Sequence, residues 1–499
     1  MFRRLYVVAG LGTGKTLLSA LAPTILGFTG AETVFIPPHP LVKQTRDALT
    51  ELSSEWRVAS PENVLSAKLF SNAEYASYLL DLKPRVVILD ESQTFGNPGS
   101  GRSARLQQYL DLYPGTHVIT LTATPGDSSL ASVRHLLRWT LGSDCPVPLD
   151  RSEFWIWCQA LDDDPGFDVT TSKRRLRAPP GKLADLCPEV PSPDLAAIRA
   201  AVGLRIASTP GCFYYRIDDT ESQLEISAVR VPKHSEVLTR EFAAARSGSD
   251  QLADGRVLDV PVVDSVLFQT LGLGFARVIN PPPPEAWRTA RREYNSLARE
   301  VLSDSDLGLH TPRQVDLAFR DGRLIDTSGA WQRWQDIRPS FRAHREIVWL
   351  DTSILDFVSE RVTSSPEPMI VWTAFPAFGE ALSQLTGLPF FHELGLDSRS
   401  GEHIQSTRGG RSVIASIAAN STGRNLQDRW SRNLIVGCPG KADLLQQLIG
   451  RTHRRGQMAP VVRVEVLLAS IEHVSALYRA RDRAQYDRTA MTERPPRVD

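Results

Sequence analysis

Cysteine is scarce in this chain: five among 499 residues, at Cys145, Cys158, Cys187, Cys212 and Cys438, with no CxxC pair and no histidine at zinc-ligand spacing. That scatter excludes a disulfide framework and a zinc module, and it fits a reduced, cytoplasmic protein. No run of 18 apolar residues occurs, which speaks against a helical membrane span. The opening MFRRLYVVAGLGTGKT turns glycine-rich before it can supply the long apolar core of a signal peptide. Nor does one charge dominate. With 57 basic and 57 acidic side chains there is no global field to draw the chain to a polyanion or a membrane, so any such site must be local. Lysine occurs at only eight positions. Nearly all basic side chains are therefore arginines, and an arginine cluster says less here than in an average chain.

What the chain does have is length and alternation. At 499 residues it exceeds one hydrophobic core, and two or three domains are expected. Over 1–150, the apolar runs LYVVA, TVFIP, RVVILD and HVITLTAT alternate with helical patterns such as KTLLSALAPTIL and HPLVKQTRDALTEL. That pattern predicts βαβ units and a parallel sheet. From about 366 onward, PMIVWTAF, RSVIASIA, NLIVG and VVRVEVLL repeat it. Between them DDDPGFD, APPGK, PSPD and NPPPPEAW are loop signals, and EAWRTARREYNSLAREVL is strongly helical. The expected organisation is an α/β first lobe over 1–150, an irregular, partly helical insert or bridge over 151–345, and a second lobe over 346–499.

Four stretches carry chemistry. AGLGTGKT follows the first strand and opens a helix, which is the setting of a phosphate loop. Gly10, Gly12, Thr13 and Gly14 would bring backbone N–H groups to phosphate oxygens, Lys15 would reach the β- and γ-phosphates, and Thr16 would hold Mg²⁺. In VVILDESQ, Asp90 and Glu91 end a buried strand; with a phosphate loop upstream they suit metal binding and water activation, respectively. TLTATP offers the hydroxyls of Thr122 and Thr124 at the same sheet edge. In QQLIGRTHRRGQ, a continuous helix would align Gln447, Arg451 and Arg454 at i, i+4 and i+7, while Leu445, Leu448, Ile449 and Thr452 pack. Guanidinium forks match phosphate oxygens.

In chain order, AxxGxGKT, DExx, TAT, GxNLQ and QxxGRxHRxGQ resemble the motifs of superfamily-two helicases and translocases, the last two resembling the Swi/Snf-type branch. VFIPPHPLVKQTRDAL resembles that branch's motif Ia, DESQTFGNPGS its acidic box with a following Asn, and LLASIEHVSALYRAR its closing strand and helix. FYYRI and EAWRTARREYNSLAREVL resemble the insert of such ATPases encoded by tailed bacteriophages. The resemblance covers about residues 5–140 and 366–485. It implies two RecA-like parallel-sheet lobes binding ATP and Mg²⁺ in their cleft, with Gly423 and Asn425 also at the nucleotide. It further implies that Arg451 and Arg454 are arginine fingers, that Gln447 couples the lobes, and that Gln93, in the position of the branch's usual His, links the nucleotide to Thr122 and Thr124. The amide that clamps adenine in this family lies upstream of the phosphate loop, where only eight residues precede Ala9; stacking by Phe2 or Tyr6 and weak base selectivity are the expectation.

In the same family, nucleic acid crosses both lobes opposite the nucleotide and is held through its phosphates. The candidates are His39, Lys43 and Gln44, then Ser71 and Asn72, then Ser421 and Thr422; SKRRLR at 172–177 is either an added grip or a solvated loop. Trp287, Trp331, Trp334, Trp349 and Trp372 are read as core residues. The expected function is that of an ATP-dependent DNA translocase or helicase. It would act on double- or single-stranded DNA in preference to RNA, as a monomer without membrane contact, with phage replication or recombination proteins as partners in a bacterial host's cytoplasm. The alternatives are a DNA-packaging motor, which would not be expected to carry QxxGRxHRxGQ, and a nucleotide-gated scaffold with little turnover.

Overall fold

The computed structural model describes residues 5–10, 13–123, 129–162, 183, 186–187, 194–215, 221–262, 265–304, 307, 309, 311–421, 423–440 and 442–486. Phe2, Gly12, Thr124, Thr422 and the SKRRLR stretch lie outside them.

The architecture is α/β, with two RecA-like parallel-sheet lobes and a partly helical insert. Among the described residues the first sheet has strands β1 (Leu5–Ala9), β2 (Thr33–Ile36), β3 (Val86–Leu89), β4 (His117–Thr122) and β5 (Cys212–Tyr215), in the order β2-β3-β4-β1-β5 and all parallel. The strands are rich in β-branched and apolar residues because both faces are covered. Tyr6, Val8, Val87 and Leu89 enter one core cluster, while Val7, Ala9, Val86 and Ile88 enter another on the opposite face. β4 lies between β1 and β3, so the ends of these three strands adjoin.

β6 (Gln223–Arg230) leaves the first lobe and joins the second sheet. The chain then builds the antiparallel set β7 (Val257–Leu258), β8 (Phe275–Ile279) and β9 (Arg345–Trp349). Helix Glu285–Ser303 packs beside it, burying Trp287, Ala290, Tyr294, Ala298 and Val301 at three- and four-residue spacing. The second sheet follows with β10 (Met369–Thr373), β11 (Phe390–Phe391), β12 (Val413–Ser416), β13 (Arg432–Val436) and β14 (Val461–Leu468), ordered β11-β12-β10-β13-β14-β6 and parallel throughout.

The stretch 151–345 lends a strand to each of the two sheets. It supplies β5 to the edge of the first sheet, and β6 to the edge of the second, where β6 pairs with β14 from Gln223↔Val461 to Arg230↔Leu468. The helix expected over KTLLSALAPTIL is divided into Lys15–Ala20 and Ala22–Leu26, with Pro23 in the first turn of the latter. Among the described residues no helix is long and apolar enough to cross a membrane. The five cysteines are free. Trp287, Trp334 and Trp372 are buried and Trp331 and Trp349 partly so, Trp372 donating from Nε1 to Asn433 Oδ1 at 3.1 Å.

Candidate functional site

β1 delivers the chain into the glycine-rich loop, and Gly14, at φ +81°, caps helix Lys15–Ala20 in the left-handed conformation that glycine adopts without a Cβ penalty. Lys15 is buried and folds back over the loop, its Nζ donating to Ala9 O at 2.8 Å and Gly10 O at 2.9 Å. Thr13 Oγ1 donates to Gly10 O at 2.8 Å. Burial holds the Lys15 ammonium below its usual pKa. Glu91 and Asp90 oppose that shift, and Arg451 and Arg454 add to it. Groups from both lobes therefore act on one lysine.

β3 ends immediately before the acidic pair. Asp90 is buried, its Oδ1 accepts Glu91 N at 3.0 Å, and the Thr16 hydroxyl also bonds it. Burial raises its carboxyl above the usual range, the neighbouring Glu91 adds to the rise, and Lys15 opposes it. A divalent cation would favour the ionised form. Asp90 with the Thr16 hydroxyl fits Mg²⁺, an ion that takes few protein oxygens and completes its octahedron with phosphate and water.

Glu91 adopts φ +48° and ψ +56°, sparsely populated for a non-glycine residue and typical of strain held at a functional position. Its Oε2 accepts Gln93 Nε2 at 2.8 Å, and Gln93 Oε1 accepts the Thr122 hydroxyl at 2.8 Å. Gln93 thus bridges the acidic pair to the end of the intervening strand, β4.

The arginine segment departs from its expected form. Helix Ala442–Ile449 stops at Gly450, so Gln447, Arg451 and Arg454 do not continue one helical stripe; both arginines lie in the turns beyond it. Two of the residues expected to pack are fully buried, Leu448 and Thr452, with Thr452 bonded to Asn433. Arg451 is buried too, donating from Nε to Gln447 O at 2.9 Å and from Nη1 to Arg424 O at 3.0 Å. Burial lowers its pKa to about 10, against the field of Glu91. Half-buried Arg454 donates from Nη1 to Asn425 Oδ1 at 2.6 Å. Among the described residues neither guanidinium is ion-paired with a carboxylate. Two such guanidiniums whose charges reach a buried ammonium would suit a polyanion.

Gly423, at φ +69°, packs against the other lobe: a Cβ there would come 1.7 Å from Leu41 Cδ2. Its place is the lobe–lobe contact, whereas Asn425 orients Arg454. Sequence reasoning missed Arg424. It is buried, donates from Nη2 to Leu394 O at 2.8 Å, leaves its Nε without a partner among the described residues, and offers its carbonyl to Arg451. One more arginine in an arginine-rich chain carried little signal, although Gly423 and Asn425, both assigned to the site, flank it.

No protein-family model and no curated protein sequence matches this chain.

Among the nucleic-acid candidates, His39, Lys43, Gln44, Ser71 and Asn72 are exposed on the first lobe, with His39 Nδ1 3.3 Å from Ser66 Oγ. Ser421 is buried at 3 % exposure and does not join them on the surface. Lys43 adds a small part to the positive field at His403 of the second lobe, whose pKa is lowered mainly by burial and further by Arg424 and Arg429.

Proposed function

We propose that the chain is a nucleic-acid-stimulated ATPase, a DNA translocase or helicase of the Swi/Snf-like type that hydrolyses Mg-ATP between its lobes. What supports the reading is that the charges of Asp90 and Glu91 in the first lobe and of Arg451 and Arg454 in the second all act on Lys15, and that Glu91 acts on Arg451. Lys15 binds the β- and γ-phosphates, and Glu91 accepts the proton of the attacking water. Thr16 and Asp90 would hold Mg²⁺, which would supply charge neutralisation to the phosphates. Arg451 and Arg454 stabilise the transition state from across the cleft, so hydrolysis requires lobe closure. Lys43, with His39 and Gln44, holds nucleic-acid phosphates on the first lobe and Arg429 and His403 on the second, which ties closure to movement along the polymer. DNA is the preferred polymer, and the setting is the cytoplasm of a bacterial host, with phage replication or recombination proteins as partners.

Steady-state ATPase rates with no polymer, double-stranded DNA, single-stranded DNA and RNA test this. DNA should raise turnover above the polymer-free rate, by more than RNA does. Equal rates in all four would reduce the protein to a plain nucleotide hydrolase.

The Thr122–Gln93–Glu91 chain makes a narrower prediction. Gln93→Ala should slow turnover about 2- to 10-fold, the worth of one net hydrogen bond, with KM for ATP little changed. A rise in KM at constant kcat would show that Gln93 contacts the nucleotide instead of orienting Glu91.

A further inference from the structure

We infer that Tyr215 and Phe213, on β5, form a stacking platform for the purine base of the nucleotide whose phosphates Lys15 holds. This rests on the ATPase reading above. The sheet order supplies the first argument. β4 and β3, with Asp90 and Glu91 at the end of β3, lie on one side of β1, and β5 lies on the other. A triphosphate with its γ end at Glu91 and the arginines runs back across the loop towards β5, and its base emerges on that side.

Attachment supplies the second argument. Tyr215 is the register partner of Ala9, and its carbonyl accepts the Gly10 N–H at 3.1 Å, so the residue bearing the ring is tied to the first glycine of the phosphate loop. Exposure supplies the third. Along β5, Cys212 and Tyr214 turn towards the core cluster that holds Tyr6, whereas Phe213 and Tyr215 stay 46 % and 45 % exposed. Their rings lie 6.1 Å apart at 25°, nearly parallel. They share the sheet face of Val7 and Ala9, against which Ala20, from the helix that the phosphate loop opens, is packed. Scattered apolar exposure needs no explanation, but two near-parallel rings on one face beside a phosphate loop present a surface for an aromatic ligand.

Tyr6 cannot serve, since it is fully buried. The expectation that its ring stacks on the base is therefore corrected, and the role moves to β5. A ring face holds a purine without reading its edge, so ATP and GTP should be used with kcat/KM values within about 100-fold of each other.

The test is titration of the full chain, in Mg²⁺, with ATP and with inorganic tripolyphosphate, which has phosphates and no base. Tyr215→Ala should weaken ATP roughly 5- to 150-fold, the range for loss of one base–aromatic stack, and leave tripolyphosphate unchanged. Phe213→Ala should likewise weaken ATP alone, and Tyr215→Phe, which keeps the ring, should bind ATP as the parent does. Unchanged ATP affinity in both alanine variants would overturn the proposal, and so would an equal loss of ATP and tripolyphosphate in Tyr215→Ala. If the parent chain binds both ligands equally, the platform fails while the phosphate site stands. If the parent binds neither, the ATPase reading itself fails and the platform falls with it.

Discussion

Glu91→Gln should bind ATP as tightly as the parent chain and turn it over about 10²- to 10⁴-fold more slowly, the range for loss of a general base. Lys15→Ala should do the opposite and lose the nucleotide, because removing one partner of a buried charge-assisted contact costs about 2–5 kcal/mol, or roughly 30-fold or more in affinity. The geometry separates the roles. Lys15 Nζ sits over the loop on Ala9 O and Gly10 O, where phosphate oxygens would replace those carbonyls. Glu91 stands at the end of β3 on a left-handed residue, its carboxylate oriented by Gln93. The Glu91→Gln amide is isosteric with the carboxylate, so the variant retains the shape and loses the basicity. Nucleotide titration beside single-turnover hydrolysis distinguishes the two outcomes. Equal loss of binding in both variants would show that Glu91 is part of the phosphate cradle and that the water is activated elsewhere.

Most of the two sheets is legible in the sequence. LYVVA, TVFI, VVIL and HVITLT in the first lobe, and MIVWT, VIAS and the LIV of RNLIV in the second, are mainly apolar runs because parallel strands between helices bury both faces, while VVRVEVLL still stands out although Arg463 and Glu465 interrupt it. β5 and β6 do not announce themselves. QLEISAVR is exposed at most positions, as an edge strand covered poorly on both faces, and its partner β14 lies more than 200 residues away. No local pattern encodes so distant a pairing. The glycine-rich loop and the acidic pair stand out for the opposite reason: the chemistry proposed for them demands particular residues at fixed spacing from a strand end. The arginine segment lies between these cases. Its residues point to a phosphate, but Gly450 ends the helix that the spacing suggests, and Arg451 gains its fixed position from two carbonyls, of which Arg424 O comes from a loop far away in sequence. A period of 3.6 residues finds neighbours on one helix and is blind to those partners. Tyr6 fails as a stacking residue for a related reason. An aromatic next to a glycine-rich loop looks available until β1 is seen to be buried on both faces, with Tyr6 in one of the two cores.

Arg454→Ala should lower kcat about 10³-fold or more with little change in ATP affinity, the magnitude associated with an arginine supplied in the transition state. It is the cleaner of the two arginine tests. Arg451 is buried and donates to Gln447 O and Arg424 O, so Arg451→Ala would leave two buried carbonyls without that donor, and lost turnover would mix with lost packing. Arg454 is half-buried and held by Asn425 Oδ1 at 2.6 Å, and its removal empties no core. Asn425→Ala isolates the positioning effect. The guanidinium remains but is free to swing, and kcat should fall about 10- to 150-fold, the worth of a hydrogen bond to a charged group, at unchanged Tm. Arg454→Lys preserves the charge without the planar fork and should recover only part of the activity. Measuring kcat, KM and Tm with and without DNA across these variants ranks the contributions. If Arg454→Ala turns ATP over normally in the presence of DNA, Arg454 does not act in the chemical step, and the charge must be stabilised by Arg451 or within the first lobe.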